Sequence, residues 1–219
     1  MRLRGILILL GAVLVVATFT FPMWQPYLQN TTVSSGGDDL FPGLPRRLQS
    51  SFAVLPPDQQ RAYFALAEIN REAAVRMVTA ALQPGAPAPE ADADIPADLN
   101  GPELVGRGIF QQLDAIRWAQ GIALIYQGAD NRKVLRFENF SAANNADLRV
   151  ILSASPNPLT SADMRLNDLD FDAGTLRGSY GNQNYELPVE LNLSDYASVV
   201  LYSPGIDLIY SVAPLVLFQ

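Results

Sequence analysis

From Leu104 onward the chain alternates apolar and polar residues with period two, and turn-forming residues break the alternation at short intervals. Ile122, Leu124 and Tyr126 alternate in WAQGIALIYQ, and Leu135 and Phe137 alternate with Arg136 and Glu138 in KVLRFENF. Leu148, Val150 and Leu152 do the same in ADLRVILS. This spacing sends successive side chains to opposite faces of a strand and does not suit a helix. Residues 128–131 and 142–146 supply turns, and a proline-bearing loop is expected over 157–163. Further strands are expected at 174–178, about 183–188, 196–203 and 206–212, the last two separated by Pro204-Gly205. The unbroken apolar run Val199-Val200-Leu201 fits a strand covered on both faces. The expected fold is therefore mostly β: a C-terminal antiparallel β-sandwich or barrel of about eight short strands. A transmembrane helix and a short helical segment are expected ahead of it.

The N-terminus reads MRLRGILILLGAVLVVATFTFPMW. Arg2 and Arg4 flank an uncharged apolar run, and at about 1.5 Å per residue the stretch 5–24 measures roughly 30 Å, the thickness of a bilayer's hydrocarbon core. Trp24 and Tyr27 fall where an aromatic belt is expected, and the next cation is Arg46. Residues 1–27 read as a membrane anchor with its N-terminus in the cytoplasm, placing the rest outside as a single-pass protein of the cell envelope. A cleaved signal peptide, with Val15 and Ala17 before the cut, is the alternative. Residues 28–43 form a polar Gly/Ser spacer and 44–83 a helical stalk. Within the stalk, one helix is expected over 58–82 with Tyr63, Leu66, Ala67, Ala74, Met77, Val78 and Ala81 on a single face. That face must pack on the following domain, on a partner or on the membrane surface. Residues 84–103, rich in Pro, Ala and acids, read as an extended linker to the β domain at 104–219.

Composition narrows the chemistry. The 219 residues contain no Cys and no His, which removes disulfides, thiolate nucleophiles, imidazole acid–base catalysis, Cys/His zinc sites and iron–sulfur ligation. The net charge is −7, and the adjacent cations Arg46-Arg47 and Arg132-Lys133 make no patch, so nucleic acid is not an expected partner.

The pieces from about 106 to 215 together resemble the DM-thirteen, or electron-transfer, domain. This small β domain is found beside DOMON domains in animal Skeletor-type proteins and in many bacterial envelope proteins. The resemblance rests on Gly106-Arg-Gly108-Ile-Phe110, Ala119-Gln-Gly121 with Ile125-Tyr126, Val134-Leu-Arg-Phe-Glu-Asn-Phe140, and Asp147-Leu148 with Val150 and Leu152-Ser153. Its densest part is C-terminal: Gly174-Thr-Leu-Arg-Gly178, Gly181-Asn-Gln-Asn-Tyr185, Tyr196-Ala-Ser-Val-Val200 and Ala213-Pro-Leu215. The family is thought to transfer electrons through a cysteine in the strand after the Ser-Val-Val element. The residue at that place here is Ser203. A serine hydroxyl has no accessible redox couple and is a poor soft-metal ligand, so the resemblance implies the fold while the departure removes the chemistry.

Asp168, Asp170 and Asp172 stand at alternate positions and are the candidate metal ligands, with Ca²⁺ the ion their oxygens would suit. The EF-hand pattern fails, because Gly174 is one place late and position 179 is Ser, so a solvated acidic face is the favoured reading. No other cofactor is expected. Gly181-Asn-Gln-Asn-Tyr185 reads as a turn leading Tyr185 into the core rather than as a ligand-reading loop. Trp118, Phe137, Phe140 and Tyr202 read as core rather than pocket, and Glu138 with Asp147 has no spacing that would make it a catalytic pair. No catalytic residue is therefore identified, and the chain is not expected to be an enzyme. The expected role is a membrane-anchored extracytoplasmic binding or assembly module, its partner an envelope protein or glycan. The alternative is an accessory component of an electron-transfer system whose partner holds the redox centre.

Overall fold

The computed structural model describes residues 40–89, 95–96, 99–145, 147–165 and 169–218. The expected anchor at 1–27 lies outside the described residues, as does Asp168. Among those described, no helix is long and apolar enough to cross a membrane.

Among the described residues, three helices come first: α1 (Arg46–Ala53), α2 (Pro57–Ile69) and α3 (Arg71–Ala81). The single helix expected over 58–82 is broken at Asn70, whose backbone is extended (φ −147°, ψ 92°). Its side chain accepts a hydrogen bond from Ala73 N at 3.0 Å, so Asn70 both ends α2 and caps α3. The break re-aims the apolar stripe. Tyr63 is buried from α2, whereas α3 buries Ala73, Ala74, Met77 and Val78. Phe41, Phe52, Tyr63 and Phe64 interlock beneath them, with Phe41–Phe52 ring centroids 4.9 Å apart.

The β domain contains β1 (Glu103–Ile109), β2 (Ala119–Gln127), β3 (Lys133–Ala142), β4 (Arg149–Ser153), β5 (Phe171–Thr175), β6 (Gln183–Leu187), β7 (Ser198–Ser203) and β8 (Leu208–Leu217). They form one antiparallel sheet in the order β5-β4-β7-β8-β1-β2-β3-β6. The two edge strands are consecutive in sequence and lie near one another, so the sheet curls into a nearly closed barrel. Its eight strands match the number expected, but their ends differ. The strand expected at 174–178 lies at Phe171–Thr175, and the last strand runs to Leu217 rather than 212. That extension has a physical use. Residues 208–214 of β8 pair with β7 while residues 215–217 pair with β1, so one strand joins the two halves of the sheet.

β7 is buried along its whole length, as its unbroken apolar run implies. Val199 and Leu201 face the main core, where Phe110, Phe137, Phe140 and Tyr185 stack with centroids 4.8–5.3 Å apart. Val200 and Tyr202 face a second cluster with Ile151, Ile209, Val212 and Met164. Met164 comes from α4 (Ser161–Arg165), a short helix that begins within the stretch 157–163 expected to be loop and runs past its end. Its start is fixed by Asp163, whose carboxylate accepts from Thr160 N at 2.9 Å and Leu159 N at 3.0 Å. Those bonds hold the Asp163 carboxyl below the usual range.

The helices and the β domain form one compact unit, residues 39–219. The core that includes Phe137 and Leu201 also includes Phe52, Tyr63, Met77 and Val78, so the helical face finds its cover on the following domain. The first part of the Pro/Ala-rich stretch after α3 is bonded to the barrel. Ala88 N donates to Tyr180 O and Ser179 N to Ala86 O, each at 2.9 Å. Gly178 makes this approach possible, because a Cβ there would meet the Ala88 Cα at 2.6 Å.

Candidate functional site

Ser203 ends β7, opposite Leu208 across the turn that opens β8. It is 0% exposed. Its hydroxyl donates to Asp147 Oδ1 at 2.5 Å, and Gly205 N donates to Asp147 Oδ2 at 2.7 Å. One carboxylate thus holds the end of β7 and the turn that follows it. Gly205 has no side chain for a steric reason: any Cβ would run into the Asp147 carboxylate. The turn is held from its other side as well. Tyr202 donates its hydroxyl to Asp207 Oδ1 at 2.5 Å, and Asp207 adopts the left-handed conformation (φ 56°). From α3, Arg76 Nη1 donates to Gly205 O at 3.0 Å, while its Nη2 pairs with Glu72 at 3.1 Å. Asn144 Nδ2 donates to Ala80 O at 3.0 Å, tying the chain just before Asp147 to the end of α3.

Two buried tyrosines belong to the same region. Burial, with a smaller contribution from Asp114, pushes the Tyr63 phenol up to about 12. Burial also raises Tyr210, with Tyr63 and Asp147 adding to the effect. The Tyr210 hydroxyl makes no hydrogen bond of normal geometry among the described residues, although the Asn145 amide is close enough to lower its pKa slightly. Arg117 Nε bonds Asp114 at 2.7 Å, and Asp114 in turn accepts from the Ile116 and Arg117 backbone amides. These groups are occupied with one another. Ser203 is buried, and its hydroxyl is bonded to a carboxylate that also takes the Gly205 amide.

The other sequence candidates go to separate places. Asp170 Oδ1 accepts from Ser153 Oγ at 2.8 Å and Ala154 N at 3.2 Å, which anchors the chain entering β5. Asp172 pairs with Arg149 Nε at 2.5 Å and accepts from Gly174 N at 2.9 Å. Among the described residues, no three acidic side chains are placed to hold a metal ion. Gln183, buried in β6, accepts from Tyr185 Oη at 2.7 Å and Arg177 N at 3.1 Å and donates to Gly178 O at 3.0 Å. The Gly181–Tyr185 motif therefore fastens the β5–β6 connection. Glu138 pairs with Arg136 at 2.6 Å, while Asp147 serves Ser203, so these two acids share no task. Phe137 and Phe140 lie in the main core and Tyr202 in the second cluster, so the four aromatics do not gather into a pocket. Asp147 as the Ser203 partner was not found from sequence, since nothing in the spacing links residues 56 apart.

The fold and this corner define a small, nearly closed antiparallel β-barrel carrying its own helical cover. Residues 110–215 match the family described as Electron transfer DM13. The match begins just after β1 and ends within β8, so it covers most of the β domain. No curated protein and no solved structure matches the chain.

Proposed function

We propose that this chain is a membrane-anchored, extracytoplasmic docking module of the DM13 family with no redox or catalytic centre of its own. The observation that carries this reading is the state of Ser203. At the place where the family resemblance calls for a cysteine, the side chain is sealed from solvent and engaged by Asp147. With no Cys and no His in the sequence, sulfur and imidazole are not available elsewhere to bind a redox metal. The apolar run after Arg2 and Arg4 supports the anchor and the export of the remainder of the chain.

Detergent extraction of the full-length chain tests the docking role. The expected result is a colourless protein that retains one stable envelope protein or glycan partner through purification. A chain that retains nothing under these conditions would sink the docking role. A second reading is supported by the family's description: an accessory of an electron-transfer system whose partner holds the redox centre. Visible absorbance entering with a co-purifying cytochrome would select it. A periplasmic reporter enzyme fused after Gln219 checks the topology, and is expected to be active. An inactive reporter in an intact fusion would overturn the extracytoplasmic placement.

A further inference from the structure

The outer face of the barrel carries an open groove of about 370 Å³ where β8 leaves β7 and joins β1. Its floor is the close packing of Gly108 against the Ala213 and Pro214 backbone, where a Cβ would meet Pro214 O at 2.8 Å. Ile109, Val216 and Phe218 stand on its walls and are 57%, 62% and 46% exposed. Three large apolar side chains left wet around one concavity on a protein of net charge −7 need an explanation. Arg107 lies among them, exposed on the strand β1. Arg76, Arg117, Arg132, Arg136 and Arg149 each face a carboxylate, whereas among the described residues no carboxylate pairs with Arg107.

We infer that this groove docks an extended segment of a partner protein that places an apolar side chain between Val216 and Phe218 and a carboxylate against Arg107. The inference rests on the docking role and gives it a location. A planar guanidinium with a free fork and an apolar surround is the arrangement that recognises a carboxylate with directional hydrogen bonds. Aromatic and Arg anchors also dominate binding energy in protein interfaces. A second copy of the chain fits poorly, because a twofold axis through the groove sets Arg107 against its own copy. A lipid surface fits poorly as well: the site is concave and its lining offers one cation, Arg107, where anionic headgroups are recognised by clusters of cations.

The test uses the full-length chain in nanodiscs and a displayed library of random peptides. Enriched peptides are synthesised and titrated by fluorescence anisotropy against wild type, Arg107→Glu and Val216→Ser. Both substituted positions are exposed, so unchanged melting confirms that the variants fold. The expected peptides carry Asp or Glu next to an apolar residue, and each substitution weakens them by at least about tenfold. Exchanging the peptide acid for Lys is expected to restore binding to Arg107→Glu. No enrichment, or enriched peptides indifferent to both substitutions, overturns the groove. So does Arg107-dependent binding to phosphatidylglycerol vesicles in the absence of peptide binding, which would assign the face to lipid. The two levels separate cleanly in the detergent extract. A partner held equally by wild type and Arg107→Glu leaves the docking role standing and removes the groove, while wild type holding no partner removes the role itself.

Discussion

The two ends of β8 present opposite surfaces. At its start, the strand closes the corner around Ser203, where the hydroxyl, the Asp147 carboxylate and the Gly205 amide are bonded to each other. At its finish, Val216 is largely exposed and lines a groove in which, among the described residues, no carboxylate pairs with Arg107. In the first region these three groups satisfy one another and Ser203 is buried. The second has access, apolar surface and an unpaired cation. Polar groups that are mutually satisfied hold a fold together, whereas groups left unsatisfied at an accessible surface have interaction free energy to give to something else. The contrast moves the functional expectation away from the Ser203 corner and toward the β1–β8 face.

The seal over the Ser203 corner should fail most visibly when the chain after α3 is pushed off the barrel. Gly178→Ala sets a methyl against Ala88 backbone and is expected to cost about 3 kcal/mol or more, read by denaturant unfolding. A cost under about 0.5 kcal/mol, the range of an inert surface change, would show that the helical cover is only loosely attached. Alkaline titration probes the seal from within. The folded state holds Tyr63 neutral, with its pKa raised from 10.0 to about 12. The native chain therefore retains a proton that the unfolded chain loses above pH 10. This stability is fully present below about pH 10 and is lost as pH rises toward 12, with a slope of about 1.4 kcal/mol per pH unit for one proton. Tyr63→Phe should flatten that slope by one proton in pH-dependent unfolding; an unchanged slope would mean that the helices leave Tyr63 wet.

Ser203→Ala is expected to cost about 2 kcal/mol, the loss of a hydrogen bond to a charged acceptor. Ser203→Cys sharpens the same point, since a thiol there should react with a disulfide reagent only as fast as the domain opens. Fast labelling in the folded protein would reopen the corner as a site. The smallest expected effect is on the other side of the comparison: Arg107→Glu should shift stability by no more than about 0.5 kcal/mol, because its side chain is exposed and unpaired. A larger loss would make Arg107 part of the fold rather than of a surface.

What could be read in advance depended on the range of the interaction. Val199 to Leu201 and the Pro204-Gly205 turn carry their own local pattern, and β7 and the turn after it fall where that pattern puts them. The number of strands was legible for the same reason. The break at Asn70 was not, because Asn fits a helix interior as well as a cap until its side chain is seen to bond Ala73. Nor was α4, whose reason for existing is Met164 covering Val200 and Tyr202 from a distant strand pair. The Ser203–Asp147 bond and the Arg107 groove both depend on which strands become neighbours, and that information is absent from periodicity.

The placement of β8 has a bearing on how the protein is made. Although late in the chain, this strand is central in the sheet, between β7 and β1. The first strand of the domain cannot complete its pairing until residues 208–217 have been synthesised, so the barrel closes only after the ribosome has delivered nearly the whole domain. A chain with that requirement leaves β1 without its second neighbour for most of elongation.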